Sequence, residues 1–293
     1  MYIDAIKGSL IALVFFIIAV LVIPTNNMGS GAEIILTISS FLFAILAGFF
    51  IARLNDRYNK IQQTISSEDA TWLTMYKASA IYGKKFQNDL AKLIERYYIA
   101  AFEFIGVDYY KHTSKFFLSI YDLLYKYKKY KNEEIYSKLF DYMANIEETR
   151  NNTSVHAREE LTKGQWIIMI LLSFIIILSI FSLRTSDIYY DIITVMLSTI
   201  LVLILLLIRD LKNLRLGGNL ILIESGQEVF ENMGMLRYYN KVILGKGAIN
   251  IPPYVKEYRV GYHQPHEKPD IKIVKNPRYD KKNEKKNYTL GHK

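Results

Sequence analysis

Four long apolar runs without a charged residue constrain the fold of this 293-residue chain more than any other feature. They cover about residues 8–25, 34–52, 164–183 and 192–208. A helix rises ~1.5 Å per residue, so about 17 to 20 residues cross the ~30 Å hydrocarbon core of a bilayer. Lipid offers the backbone no hydrogen-bonding partner, and each run must therefore satisfy its own amide groups as a helix. The sequence predicts four transmembrane helices.

The first run also has features of a secretory signal peptide. Lys7 precedes it, and the small residues Ser30, Gly31 and Ala32 follow it as they do at a cleavage site. This alternative stays open at the level of sequence. In either case the second run crosses the membrane from outside to inside, so the rest of the topology is the same.

The distribution of lysine and arginine predicts the orientation of the spans. Of the 37 basic residues, only Arg184 lies in the two short connections at 24–33 and 184–191. Basic side chains next to a span favour the cytoplasmic side of the membrane. The flanks that carry them hold Arg53, Arg57, Lys60, Arg158, Lys163, Arg209, Lys212 and Arg215. Both termini and the segment between the second and third spans are therefore predicted to be cytoplasmic.

These patterns together predict an all-α integral membrane protein in five parts. Residues 1–52 hold the first two spans, 53–163 form a long cytoplasmic helical insert, and 164–208 hold the last two spans. Residues 209–262 form a cytoplasmic carboxy-terminal region with one short helix. Residues 263–293 are a basic tail without periodicity, which we expect to be disordered.

Apolar residues recur at three- and four-residue steps through the insert, which is typical of packed helices. The first helix is predicted to begin at Ser66 or Ser67, with Glu68 and Asp69 in its first turn, and to end near Gly106. A second helix is predicted at 113–130. A third is predicted to begin at 132 and to continue as a stem into the third span. A short helix is predicted at 225–235, with Ser225 as its cap.

Residues with catalytic or metal-binding spacing are scarce. The sequence contains no cysteine, which excludes disulfides, thiolate metal sites and a cysteine nucleophile. His263 and His266 have a spacing that suits a metal, but they lack acidic or thiolate company and are interpreted as solvated side chains. No glycine loop has the spacing of a dinucleotide or phosphate site. We therefore predict no enzymatic activity, no cofactor and no metal.

The net charge of +9 is concentrated outside the spans. A basic tail beside a membrane is attracted to anionic lipid headgroups by about 1 kcal/mol per residue, which accounts for this charge without nucleic acid. No span contains an ionisable residue, and this argues against a proton relay or an ion-coupled transporter. The expected partners are the lipid bilayer and further copies of the chain.

The second span differs from the others in the order of its large and small residues. Phe41, Ile45 and Phe49 follow one another at four-residue steps, Gly48 permits close approach, and Arg53 follows the span. This string resembles the second membrane helix of the bestrophin anion channels, and the order of spans, insert and tail is similar to that family as well. The chain resembles the prokaryotic bestrophin-like membrane proteins more closely.

The resemblance implies a homo-oligomeric channel for inorganic anions such as chloride in a cell inner membrane. Five subunits would surround a pore lined by the second span. Phe41, Ile45 and Phe49 would form a hydrophobic neck that closes the pore by dewetting. Arg53 and Arg57 would attract anions at the inner mouth.

Two departures from the bestrophin pattern limit what the resemblance implies. The acidic cluster that forms the calcium clasp of animal bestrophins has no counterpart, and residues 37–49 lack the proline that precedes their neck.

In the fourth span, Thr194 and Ser198 provide small-residue steps that favour helix packing.

Two alternatives remain open. The three neck residues would also suit contact with lipid or with a neighbouring helix, as most apolar residues of a span do. The chain would also suit a membrane-anchored helical scaffold or signalling protein, which recruits cytoplasmic partners and conducts nothing.

Overall fold

The structure of the chain is a computed structural model. It describes residues 3–25, 29–104, 109–127, 133–216, 219–245, 249, 251–263, 267 and 270–279. The chain divides into two compact units. The first comprises Met1–Tyr58 and Glu159–Gly218, and the second comprises Asn59–Arg158 and Asn219–Lys293.

The described residues form mainly helices. In chain order the helices are α1 (Ala5–Val22), α2 (Gly29–Ser79), α3 (Lys84–Glu103), α4 (Tyr109–Lys126), α5 (Glu133–Arg158), α6 (Lys163–Ser182), α7 (Ile188–Lys212), α8 (Ile221–Asn232) and α9 (Lys241–Gly245). The strands are β1 (Arg215–Leu216), β2 (Asn219–Leu220), β3 (Tyr238–Asn240), β4 (Glu257–Gly261) and β5 (Ile271–Lys275).

Helices α1, α2, α6 and α7 are long and apolar enough to cross a membrane. Each overlaps one of the four predicted runs. Helix α7 extends beyond its run at both ends, whereas α1 ends at Val22 and α6 ends at Ser182, before the ends of their runs. The predicted fold of four spanning helices with a long helical insert is therefore confirmed. A small sheet, which the sequence did not indicate, is added to it.

An apolar core joins α2, α6 and α7 in the first unit. Its buried members are Phe43, Ala47, Phe50, Leu54, Leu161, Met169, Ile176, Ile180, Leu201, Ile208 and Leu211. Helix α1 packs along α7. A Cβ atom on Gly8 would lie 2.6 Å from Leu206 Cδ1, so the small residue allows α1 and α7 to approach closely. The backbone N–H of Ala5 also donates to Asp210 Oδ2 at 2.9 Å.

Side-chain caps set where α6 and α7 begin. Thr162 and Gln165 form a capping box, with Gln165 N donating to Thr162 Oγ1 at 3.3 Å and Thr162 N donating to Gln165 Oε1 at 2.8 Å. Tyr189 N donates to Asp187 Oδ1 at 3.0 Å. The continuous stem predicted between the insert and the third span is wrong, because α5 ends at Arg158 and the capping box starts a new helix.

Helix α2 is uninterrupted for 51 residues, so the predicted helix start at Ser66 or Ser67 is wrong. The helix ends instead in a single 3₁₀ turn at Ala80–Tyr82, and Gly83 adopts φ +90°. Only glycine adopts this left-handed region without a steric cost. The single helix predicted between 66 and 106 is therefore two helices, α2 and α3.

The second unit has a core of its own, built mainly on α2, α3, α4, α5 and α8. Its largest fully buried side chains include Trp72, Phe86, Leu90, Ile94 and Tyr97. The predicted helices at 113–130 and from 132 correspond to α4 and α5, and α4 begins earlier, at Tyr109.

Strands β3, β4 and β5 form a small sheet in the second unit. Strand β3 pairs with β4 in parallel and β4 pairs with β5 in antiparallel register. Asn276 Nδ2 donates to the carbonyl groups of Pro252, at 3.0 Å, and Val255, at 2.8 Å. These contacts tie β5 to the chain before β4.

The disordered tail predicted at 263–293 is wrong for its first part. Strand β5 lies within this range, and His263 is buried. The structural reason is backbone pairing with β4, which a search for side-chain periodicity does not detect. The predicted helix end at Gly106, the predicted break at 217–218, and residues 280–293 lie outside the described residues.

Candidate functional site

The predicted neck residues lie on one exposed face of α2. Phe41, Ile45 and Phe49 have exposed fractions of 66%, 42% and 70%. Side chains four positions apart share a helix face, so the three form one continuous strip, which we call the α2 outer strip. The opposite face of α2, with Phe43 and Phe50, is buried in the core of the first unit. The strip is therefore free to contact lipid or another copy of the chain.

The small residues predicted to favour packing differ in their surroundings. Gly48 is exposed, and a Cβ atom built on it would meet no heavy atom within 4 Å, so the chain itself does not approach it closely. Thr194 and Ser198 are buried. They continue the face of α7 on which Leu201 and Ile208 join the core.

The two arginines that follow the span lie one turn apart on α2 and differ in burial. Arg53, four positions after Phe49, is exposed and continues the α2 outer strip. Arg57 is buried, and its Nη1 donates to the carbonyl oxygen of Lys212 at 2.9 Å, where α7 ends. A cation suits the negative end of a helix dipole, so Arg57 stabilises α7. Of these two arginines, only Arg53 has an exposed side chain.

A second cluster of functional groups lies inside the second unit, around the adjacent carboxyl groups of Glu68 and Asp69. Their exposed fractions are 5% and 8%. The sequence predicted both acids in the first turn of a helix, but α2 continues through them, so they lie within a longer helix.

Glu68 is surrounded by aromatic donors. Tyr97 Oη donates to Glu68 Oε1 at 2.5 Å, and the indole Nε1 of Trp72 donates to the same oxygen at 3.3 Å. Tyr109 Oη lies 3.4 Å from Glu68 Oε2. All three groups are uncharged.

Asp69 is held in the same manner by two hydroxyl groups. Tyr98 Oη donates to Asp69 Oδ1 at 2.5 Å, and Ser225 Oγ donates to Asp69 Oδ2. Ser225 was predicted to cap a helix, but it lies inside α8 and bonds to Asp69 instead. The carboxyl group therefore links α2 to α3 and to α8.

The buried cation Arg150 is directed away from the two acids. Its Nη1 pairs with Glu147 Oε2 at 2.6 Å, and its Nη2 donates to Tyr110 O at 3.1 Å and Thr113 Oγ1 at 3.0 Å. The guanidinium carbon lies 4.2 Å from the centroid of the Phe117 ring. Within the part of the chain that the structure describes, no lysine or arginine donates to either buried carboxyl group.

Burial is the main influence on the acidity of the cluster. It raises the pKa of Glu68 to about 7 and the pKa of Asp69 to about 6, because a charge loses its hydration in the interior. The hydrogen bonds from Tyr97 and from Ser225 and Tyr98 lower these values, but by less. Burial also raises the pKa of Tyr97 and Tyr98 well above 10, so both phenols stay neutral donors.

The sequence matches the Bestrophin-like domain over residues 9–214. This chain belongs to the bestrophin-like family. The match covers all four candidate spans and the whole insert. No curated protein matches the sequence.

Solved structures of bestrophin homologs share this fold. A crystal structure of a bacterial bestrophin homolog from Klebsiella pneumoniae matches with a TM-score of 0.57 and 11% identity, over 78% of this chain and 98% of that one. A crystal structure of a membrane-protein variant matches with a TM-score of 0.56 and 11% identity, over 79% and 99% of the two chains. At such identity the likeness establishes the fold alone.

The histidine predicted to be solvated in this bestrophin-like chain is buried. His263 Nε2 contacts Glu103 Oε1, and His263 Nδ1 accepts a hydrogen bond from Asp270 N at 3.2 Å. His266, its predicted neighbour, lies outside the described residues. Among the residues that the structure does describe, no three metal-ligating side chains come together.

The carboxyl pair of this bestrophin-like chain is the functional feature that sequence reasoning missed. Among the apolar residues that recur at helical spacing in the insert are Leu73 and Tyr76, but they lie one position out of phase with the buried face, which contains Trp72 and Met75. On the correct phase, Glu68 precedes Trp72 by one turn and lies on the inward face. An acidic residue on the inward face of a predicted helix was the sequence feature that could have revealed the buried carboxyl pair.

Proposed function

We propose that this chain is a homo-oligomeric anion channel whose pore is lined by the α2 outer strip. The observation that supports the proposal best is the exposed line of Phe41, Ile45 and Phe49, opposite the packed face of a helix in a bestrophin-like chain. The fold that this chain shares with a bacterial bestrophin homolog is consistent with that use.

The neck would act through the wetting of a narrow apolar ring. When several copies of α2 surround one axis, rings of Phe41, Ile45 and Phe49 exclude water, and an ion cannot pass without its hydration. A small rotation or tilt of α2 widens the rings and admits water. Gly48, which is exposed, lets neighbouring helices come close at this level.

Selectivity for anions would come from charge beside the neck. Arg53 follows Phe49 by one turn on the exposed face, so a ring of these guanidinium groups attracts anions. The spans themselves contain no ionisable residue, in keeping with a passive pore.

A pentamer in the lipid bilayer is the assembly that we propose, with both termini and the insert on the cytoplasmic side. The basic residues that flank α2, α6 and α7 support this orientation. The native mass of the protein in mild detergents tests the assembly. A monomer or dimer that persists across detergents would contradict the pore and favour the scaffold alternative.

Anion flux into liposomes tests the neck. We expect Phe49→Ala to raise chloride flux several-fold, because the ring becomes wider and less apolar. The matched control is Phe174→Ala, which removes a similarly exposed phenylalanine from α6. Equal flux for both variants in a conducting protein would refute the neck.

The ratio of chloride to sodium permeability tests Arg53. We expect Arg53→Gln to lower this ratio, whereas Lys163→Gln, which removes an exposed cation at the start of α6, leaves it unchanged. A ratio that falls equally in both variants would indicate a general surface-charge effect.

A further inference from the structure

The pair Glu68 and Asp69 stands out because its two buried carboxyl groups have only neutral donors around them. A buried carboxylate is stable when a cation or a metal offsets the loss of hydration, and otherwise it tends to bind a proton. Arg150, the nearest buried cation that influences Glu68, directs its hydrogen bonds to Glu147, Tyr110 and Thr113.

We infer that Glu68 and Asp69 form a proton-binding site, and that its occupancy controls how α2 packs against α3 and α8. The regulation of ion flow that follows from it rests on the proposed function. The site itself does not, because it is defined by contacts within the second unit.

The hydrogen-bond geometry around Glu68 leaves room for a proton. Tyr109 has a single hydroxyl hydrogen, and the carbonyl oxygen of Arg150, at 3.1 Å, is a closer acceptor than Glu68 Oε2, at 3.4 Å. When Tyr109 donates to Arg150 O, its own oxygen has a lone pair directed towards Glu68. A protonated Glu68 then donates to Tyr109 while it still accepts from Tyr97 and Trp72.

Asp69 has an equivalent partner in Ser225. A hydroxyl group both donates and accepts, so Ser225 bonds to Asp69 in either protonation state. Tyr98 donates to the other carboxyl oxygen in both states. The network is therefore complete with the proton bound, and loss of the proton leaves a charge to which no lysine or arginine of the described residues donates.

The groups that face the pair come from every helix packed against it. They are Tyr97 and Tyr98 on α3, Tyr109 on α4, Arg150 and Thr153 on α5, and Ser225 and Glu228 on α8. The tyrosines are neutral and Arg150 is charged throughout the physiological range. Glu228 raises the pKa of Asp69 further, since like charges repel. The pKa values of about 7 and about 6 agree with the geometry.

Tyr98 connects the site to α8. A Cβ atom on Gly226 would lie 2.6 Å from ring atoms of Tyr98, so the ring rests directly on the α8 backbone. Deprotonation of Asp69 creates a charge that draws water between these groups, and Tyr98 and α8 must shift to admit it. The packing of α8 thus depends on the proton.

Helix α2 connects the site to the outer strip, because Phe49 and Glu68 lie on one uninterrupted helix. In the proposed channel, a change in the packing of this part of α2 reaches the neck through a continuous hydrogen-bonded helix.

Infrared difference spectroscopy of the reconstituted full-length protein tests the site without any need for conduction. We expect a protonated-carboxyl band at pH 5.5 that disappears by pH 8 and is absent from the double variant Glu68→Gln with Asp69→Asn. These amides imitate the protonated groups and keep the same acceptor oxygens. The matched control is Glu133→Gln with Glu134→Gln, an adjacent pair of exposed acids, which must keep the band.

Hydrogen exchange and flux measure the consequence. We expect amides of α8 in the wild type to exchange at least several-fold faster at pH 8 than at pH 5.5 after correction for the intrinsic rate, and the double variant to show no such change. Chloride flux of the double variant at both pH values should equal that of the wild type at pH 5.5.

The outcomes separate the site from the channel. A band that is absent from the wild type, or that survives in the double variant, would overturn the inference. So would α8 exchange that responds to pH equally in both proteins. A titrating band and pH-dependent exchange in a protein that conducts no anions would support the proton site and refute the proposed channel.

Discussion

The two units of the chain differ in how far they cover their own large apolar side chains. In the first unit Phe41 is 66% exposed, and in the second Phe86 is 1% exposed. The exposed apolar faces of the first unit need lipid or another subunit to cover them, whereas the second unit buries its apolar groups within itself. The first unit is therefore incomplete alone, and the second has the core of an ordinary folded domain.

The two units also differ in where they keep charge. The spans of the first unit contain no ionisable residue, while the second unit buries Glu68, Asp69 and Arg150 among aromatic rings. Charge in an interior is sensitive to pH, and a purely apolar surface is not. In the proposed channel, the first unit would conduct and the second would control conduction.

The largest expected effect contrasts the two phenylalanines. Phe86→Ala should lower the free energy of unfolding by about 3–5 kcal/mol, because it leaves a cavity in a closed core. Phe41→Ala should cost less than about 1 kcal/mol in a detergent micelle, since no packed partner in the chain is lost. Denaturant unfolding of the solubilised protein, followed by tryptophan fluorescence, gives both values. Similar losses would show that the α2 outer strip is packed in the native assembly.

The next prediction concerns the pH dependence of stability. Both carboxyl groups have folded pKa values above the ordinary values of 4.5 and 3.8, so the folded state holds more protons than the unfolded state between about pH 4 and 7. Stability should fall through this window as the pH rises, by about 1.4 kcal/mol per pH unit for each extra proton held. Above about pH 7 the loss is complete.

The difference between wild type and Glu68→Gln isolates the contribution of Glu68, including its electrostatic coupling to Asp69. We expect the free energies of unfolding to converge towards pH 4 and to diverge up to about pH 7, with the variant the more stable. A difference that stays constant from pH 5 to 8 would contradict the prediction.

A smaller effect is expected at glycines of the two units. Gly226→Ala should cost about 1–3 kcal/mol, because the new methyl group would overlap the ring of Tyr98. Gly48→Ala should be neutral or stabilise the solubilised chain by up to about 1 kcal/mol, because alanine is the better helix former and nothing lies within 4 Å. Thermal melting in detergent measures both. If the wild type is the proposed pentamer, its loss in Gly48→Ala would show that Gly48 is a subunit contact.

The first unit could be predicted well from sequence, because its determinants are local. A run without charges has to be a helix in lipid, whatever its neighbours are, and the flanking basic residues indicate its orientation. That Phe41, Ile45 and Phe49 share one helix face also follows from their spacing. Whether they face a pore or lipid depends on copies of the chain, about which one sequence says nothing.

The second unit was harder to predict because its determinants lie far apart in sequence. Asp69 meets Ser225 across 156 positions, and β5 exists only because β4 pairs with it. The split between α2 and α3 depends on one backbone angle at Gly83, a residue that also fits a helical strip. Such features follow from tertiary contacts, and no local pattern reveals them.

The smallest expected effect concerns the boundary between α5 and α6. Thr162→Ala removes the hydroxyl of the capping box and leaves Gln165 N without its acceptor. We expect a loss of about 1 kcal/mol in the free energy of unfolding, with little change in anion flux. Thr162→Ser, which keeps the hydroxyl, should restore most of the stability. If Thr162→Ala altered flux as strongly as Phe49→Ala, the break before α6 would take part in gating, and control could not be assigned to the second unit alone.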